Sequence, residues 1–78
     1  MSIYTKEYVA NEIAKMLLRM ADLSEQYKEH LISRQTYERL KASIRVQRSY
    51  IRRHRGYALV AGKLNDATPE EIIKYGLQ

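Results

Sequence analysis

HLISRQTY, residues 30–37, lies between two long segments whose apolar residues recur every three or four positions. Ser33 is a typical helix N-cap, because its hydroxyl can accept a hydrogen bond from an otherwise unpaired backbone N–H of the next turn. Ile32 and Tyr37 flank this cap with the spacing of a hydrophobic staple. The stretch therefore predicts a tight turn that ends one helix and starts another at Arg34.

Before this turn, the apolar residues follow one face of a helix, because steps of three and four residues are helical and not strand-like. They predict one helix over about residues 5–31. Asp22 to Glu25 has the form of a capping box, which leaves open a break near Ala21. The apolar stripe consists of Val9, Ile13, Met16, Met20, Leu23, Tyr27 and Leu31.

After the turn, a second helix is predicted over residues 34–62. Gly56 leaves open an earlier end at Arg55, since glycine often ends a helix in the left-handed conformation. The stripe assigned to the core against the first helix consists of Leu40, Ile44, Ile51 and Ala58.

Thr68 and the residues after it predict a third, short helix over residues 69–75. Thr68 can cap it, Pro69 stands where no backbone N–H is needed, and two glutamates follow at the positive end of the helix dipole. Gly76 is its expected end. The fold class is therefore all-α: an antiparallel hairpin of two long helices plus a short C-terminal helix.

The chain length limits how stable one copy can be. A single domain of 78 residues buries only about 60% of the surface that its unfolded chain exposes. Val46, Tyr50 and Tyr57 form a second apolar row on the second helix, away from the core stripe. This row is open to two interpretations, base stacking or burial under the third helix or in a dimer, and we expect a small homodimeric bundle.

Charge is unevenly distributed along the chain, whose net charge is +5. Residues 1–33 carry −1, residues 34–64 carry +8 and residues 65–78 carry −2. Such asymmetry predicts that the middle third meets an anionic partner.

The cations of the middle third form a row on one face of the second helix. Spacings of four, three, four and three residues keep the row on that face for four turns, without an acidic residue among them. Glu25 and Glu29 of the first helix are the candidates for neutralising it internally. The row comprises Lys41, Arg45, Arg48, Arg52 and Arg55; Arg34 joins it, and Arg39 and Arg53 are flanking contacts.

Nucleic acid is the predicted partner, because arginine makes paired hydrogen bonds to phosphate and stacks on bases. Five phosphate contacts on duplex DNA predict a slope of about −4.5 for log K against log salt.

A helix-turn-helix, with Arg34 and Gln35 reading base edges, is one possible geometry. The alternative is a protein-binding regulator or inhibitor that docks on an acidic surface of a larger enzyme or complex. A membrane is disfavoured, because Arg39 and Arg53 interrupt the face that a lipid surface would bury.

No motif of catalysis is found in the sequence. The three glycines are isolated, no cysteine is present, and Ser33 has no neighbour in sequence that would activate it as a nucleophile. His30 and His54 do not form a metal-ligand pattern. We therefore expect no enzyme, no cofactor and no metal site. The lack of cysteine and of a signal peptide predicts a cytoplasmic protein.

Overall fold

A computed structural model describes residues 2–77, and it has three α-helices in this part of the chain: α1 (Lys6–Lys28), α2 (Arg34–Val60) and α3 (Pro69–Tyr75). The all-α class, with two long helices and a short C-terminal one, is confirmed. α1 continues through Ala21 without a break, and it ends before the predicted residue 31. α2 ends at Val60, two residues before the predicted limit of 62.

α1 and α2 pack side by side in opposite directions. Next to the turn, the ring of Tyr27 stacks on that of Tyr37, with centroids 4.6 Å apart and an interplanar angle of 4°. At the other end of the hairpin, Tyr4 stacks on His54 at 5.6 Å. The later residue of α2, His54, thus contacts the earlier residue of the N-terminal part, Tyr4, which is the pattern of an antiparallel hairpin. Its buried core consists of Met16, Leu23, Ile44 and Ile51.

The turn itself forms as the local sequence predicts. Ser33 Oγ accepts a hydrogen bond from the backbone N–H of Thr36 at 3.1 Å, and Ile32 and Tyr37 pack against the core. The helices of a helix-turn-helix cross at about 90–120°. Since α1 and α2 instead lie alongside each other from the turn to Tyr4, the helix-turn-helix hypothesis does not describe this turn.

All three helices end in the same way, with a residue in the left-handed conformation. This residue is His30 (φ 60°) after α1, Gly62 (φ 73°) after α2 and Gly76 (φ 65°) after α3. In each case the next N–H donates to the carbonyl five residues earlier, at 2.9 Å, as in a Schellman motif. His30 is the only one of these three residues that is not glycine, and its backbone nevertheless has the left-handed conformation that favours glycine.

Gly56 lies inside α2 and does not end it, so the alternative end at Arg55 is wrong. A Cβ atom at Gly56 would lie 2.8 Å from the hydroxyl oxygen of Tyr75, which belongs to α3. The missing side chain therefore lets α3 approach α2 closely.

Among residues 2–77, no helix has the length and apolar character that crossing a membrane requires.

Candidate nucleic-acid interface

The structure divides the predicted cationic residues of α2 into three groups by burial. The five exposed residues are Arg34, Arg39, Arg45, Arg52 and Arg53. The two half-buried residues are Lys41 and Arg48, and the one buried residue is Arg55.

Arg45, Arg48 and Arg52 form the part of the row that keeps its charge unneutralised. Salt bridges in the described part of the chain involve Lys15, Lys41 and Arg55, but none of these three arginines. The same holds for Arg34, Arg39 and Arg53. We call Arg45, Arg48 and Arg52 the arginine row; from residue 45 to residue 52 it covers about 10 Å of helix axis.

Two acidic residues of α1 lie away from the arginine row. Glu12 and Asp22 line shallow depressions on the opposite flank of the hairpin, next to Gln47 of α2. On that flank Glu12 pairs with Lys15, and Asp22 accepts a hydrogen bond from Gln26. Neither Glu25 nor Glu29 forms a salt bridge in residues 2–77. The carboxylates of α1 therefore do not neutralise the row.

Lys41, at the turn side of the row, is partly occupied within α2. Its ammonium lies 3.4 Å from a carboxylate oxygen of Glu38 and 4.8 Å from the centre of the Tyr37 ring. Only 19% of its side chain is exposed. Lys41 is therefore a weaker candidate for an external anion than Arg45 or Arg52.

Arg55 belongs to the interior and not to the interface, which corrects the sequence prediction for this residue. It is only 5% exposed. Its Nε and Nη2 donate to the two carboxylate oxygens of Glu71, each at 2.8 Å. Its remaining N–H groups donate to Asp66 Oδ1 and the carbonyl of Asp66, both at 3.1 Å, and to the carbonyl of Tyr4 at 3.0 Å. All five guanidinium donors are thus used.

Arg55 joins three parts of the chain at the open end of the hairpin. Asp66 Oδ2 accepts a hydrogen bond from the backbone N–H of Lys6 at 2.6 Å, and Glu71 lies on α3. The bond from Arg55 lowers the pKa of Glu71 from 4.5 to about 2. The Lys6 N–H, and then Arg55, lower the pKa of Asp66, while Glu71 raises that of Arg55. The sequence signal for this cluster was the −2 charge of residues 65–78.

An aromatic cluster surrounds His54 on another side of α2. The His54 ring lies 4.0 Å from that of Tyr50 and 5.6 Å from those of Tyr57 and Tyr4. Tyr50 is 51% exposed and Tyr57 59% exposed, so neither is buried under α3, which packs at Arg55 and Gly56. Partial burial, and then the neighbouring Tyr50, raise the pKa of the Tyr4 phenol above 10.0.

An open groove of about 580 Å³ lies where α1, α2 and α3 meet. Apolar side chains of α1, among them Ile13 and Leu17, form one wall, and Tyr75 of α3 contributes to the other. Lys6, Arg52 and Lys74 also line the groove. Its one acidic residue, Glu71, is paired with Arg55. The groove therefore extends the positive surface of the arginine row toward α3.

No group of three or more His, Asp or Glu side chains within residues 2–77 is placed to hold a metal ion. Comparisons of the chain with protein-family models, with curated proteins and with solved structures found no match.

Proposed function

We propose that the protein binds nucleic acid through the arginine row on α2. One observation supports this most: Arg45, Arg48 and Arg52 lie on one face without a carboxylate partner in the described chain, although α1 carries four acidic residues. Like charges at these spacings reduce helix stability. An external polyanion would remove that repulsion when it binds.

The binding mode is contact with phosphates, and it would recognise shape and charge more than sequence. Each guanidinium can donate two parallel hydrogen bonds to one phosphate. Exposed Arg34 extends the same face toward the turn, so that Arg34 to Arg52 covers about 27 Å of helix axis. Arg39 and Arg53 are flanking contacts. A nucleic-acid partner also agrees with the cytoplasmic location expected from the sequence.

Salt dependence tests the phosphate contacts. Three neutralised phosphates of duplex DNA predict a slope of about −2.7 for log K against log salt, because each contributes about −0.9. This is shallower than the value of about −4.5 expected when Arg55 and Lys41 are counted as well. A slope near zero in a fluorescence-anisotropy titration would exclude the mechanism.

Charge reversal tests the site itself. Arg45→Glu, Arg48→Glu and Arg52→Glu combined should abolish binding while the circular dichroism spectrum stays helical. Lys15→Glu is the matched control, because it reverses an exposed cation on the opposite flank of the hairpin. Equal loss from one Arg45→Glu change and from Lys15→Glu would show that overall charge, and not the row, controls binding.

We also propose that the protein acts as a homodimer. Its accessible surface is 6054 Å², whereas a compact monomer of 9.2 kDa has about 4,900 Å². Leu17 and Leu18 of α1 are 59% and 72% exposed, so one copy leaves large apolar side chains in water. Analytical ultracentrifugation across a dilution series tests this, and a constant monomer mass at high concentration would disprove it.

A second candidate function is docking on an acidic protein surface, and the groove beside α3 favours it. The apolar wall and the cations Lys6, Arg52 and Lys74 suit a partner that is both acidic and apolar. Such a partner would bind tightly while random duplex DNA binds weakly. Lys74→Glu separates the two functions, because Lys74 lies on α3 in the groove, whereas the arginine row lies on α2. It should weaken the protein complex more than it weakens DNA binding.

A further inference from the structure

One side of α2 presents aromatic rings and a guanidinium to solvent. Tyr50, Arg53 and Tyr57 are spaced by three and four residues, so they share a face of the helix. All three are exposed. The Cα atoms of the two tyrosines are about 10 Å apart along the axis. Arg39 and Val46, both exposed, continue this side toward the turn.

The protein holds these rings in place from one side only. The His54 ring lies tilted against Tyr50 at 4.0 Å and edge-to-face with Tyr57 at 5.6 Å, and Tyr4 backs His54. A ring fixed by such contacts loses less side-chain entropy when a ligand stacks on it. About half of each tyrosine nevertheless remains exposed. The cluster is therefore a prepared surface with its outer part uncovered.

The charge of this surface indicates the chemistry of what covers it. Arg53 lies between the tyrosines, and Glu38 is the only acidic residue of α2. In a two-fold contact between copies of this face, each Arg53 would meet cationic residues of the other copy, and Glu12, the acid that lies beside Tyr50, is already paired with Lys15. A ligand with both π-faces and negative charge suits the surface better, and nucleic acid has both.

The spacing of the tyrosines indicates the form of the nucleic acid. Bases in one strand of a duplex lie about 3.4 Å apart and are stacked on each other, so a duplex offers no free base face and no neighbouring bases about 10 Å apart. A single strand with separated bases does. Stacking on aromatic side chains is the common means of binding such strands without sequence preference.

We propose that this side of α2 binds single-stranded nucleic acid, with a base stacked on each of Tyr50 and Tyr57 and Arg53 contacting a phosphate between them. This assignment rests on the proposed nucleic-acid binding and names its substrate. The arginine row lies on another side of α2, so a strand that contacts both surfaces has to pass around the helix.

The experiment compares two labelled 12-mers that have the same number of phosphates, a thymidine strand and a fully abasic strand, by fluorescence anisotropy with the unmodified protein. The thymidine strand should bind at least tenfold more tightly, since base–aromatic stacking contributes a factor of about five or more per base and two bases are stacked. A duplex of the same length should bind no better than the abasic strand.

Two variants locate the effect. Tyr50→Ala combined with Tyr57→Ala should reduce thymidine-strand affinity to the abasic level and leave abasic binding unchanged. The matched pair Tyr50→Phe and Tyr57→Phe keeps both rings and should retain the affinity. Circular dichroism of each variant checks that the helices remain folded.

The outcomes separate this proposal from the one on which it rests. Equal affinity for the thymidine and abasic strands would overturn the stacking and leave phosphate binding by the arginine row intact. If no strand binds, nucleic-acid binding itself fails. A change in sedimentation mass of the alanine variant, with unchanged strand affinity, would show that the tyrosines instead form a protein interface.

Discussion

The two ends of the hairpin are built by different means. At the turn end, residues close in sequence hold the chain: Ser33 caps α2 through Thr36, three residues away. At the open end, Arg55 binds residues that are 11, 16 and 51 positions away. Local sequence therefore determines the turn end, whereas the open end exists only when the whole chain is folded. The arginine row lies between them.

Replacing Arg55 should have the largest effect on stability. Arg55→Ala would leave Asp66 and Glu71 without their partner, and removal of one member of a buried ion pair costs about 3–5 kcal/mol. In a protein this small, that loss is expected to unfold most of the molecule. Urea denaturation followed by circular dichroism measures it.

Arg52→Ala is the control, because it removes the same side chain one turn earlier and outside any salt bridge. Its free energy of unfolding should change by less than about 0.5 kcal/mol. Arg55→Lys should be intermediate, since lysine keeps the charge but has three donors in place of five. Equal destabilisation by Arg52→Ala and Arg55→Ala would refute the difference between the two sites.

Acid should weaken the open end before the turn end. Because the pKa of Glu71 is lowered from 4.5 to about 2, its ion pair stabilises the fold fully above pH 4.5 and loses this effect as pH falls toward 2. Asp66, whose pKa is also lowered, acts in the same direction. The free energy of unfolding should therefore decrease over this pH range.

Glu71→Gln tests the cause of the acid effect. This variant should be less stable than the original protein at pH 7, and its stability should fall less between pH 4.5 and 2. Glu70→Gln is the control, because it removes an exposed carboxylate one residue away. Identical pH profiles for Glu71→Gln and the original protein would show that the Arg55 cluster does not control acid stability.

The close approach of α3 to Gly56 gives a smaller, conditional effect. Alanine is favoured over glycine inside a helix by about 1 kcal/mol, but the added Cβ would lie 2.8 Å from the Tyr75 hydroxyl. Gly56→Ala should therefore give this gain only in a chain that also carries Tyr75→Ala. Chemical denaturation of the two single variants and the double variant measures the coupling. A full gain with Tyr75 present would show that α3 does not need the glycine.

The sequence predicted the turn end of the hairpin better than the open end. Apolar spacing and cap residues gave the three helices, the turn at Ser33 and the end at Gly76, because each is determined within a few residues. The spacing also placed Arg55 on the cationic face, but spacing alone does not reveal acids on a distant segment. The partners of Arg55 and the packing of Tyr4 on His54 required the tertiary structure.

The turn end also offers a gain in stability, and it is the smallest effect expected. His30 has φ 60°, where a non-glycine residue pays about 1 kcal/mol or more in strain, while Gly62 and Gly76 occupy the equivalent positions after α2 and α3. Glycine at position 30 relieves that strain but adds about 0.4–1 kcal/mol of entropy to the unfolded chain. His30→Gly should therefore stabilise the protein by about 0.5 kcal/mol in thermal or urea unfolding. Gly62→Ala, which introduces the same strain after α2, should destabilise it. If both changes destabilise the protein, His30 contributes contacts that outweigh its backbone conformation, and the turn end is not as locally determined as the comparison with Arg55 implies.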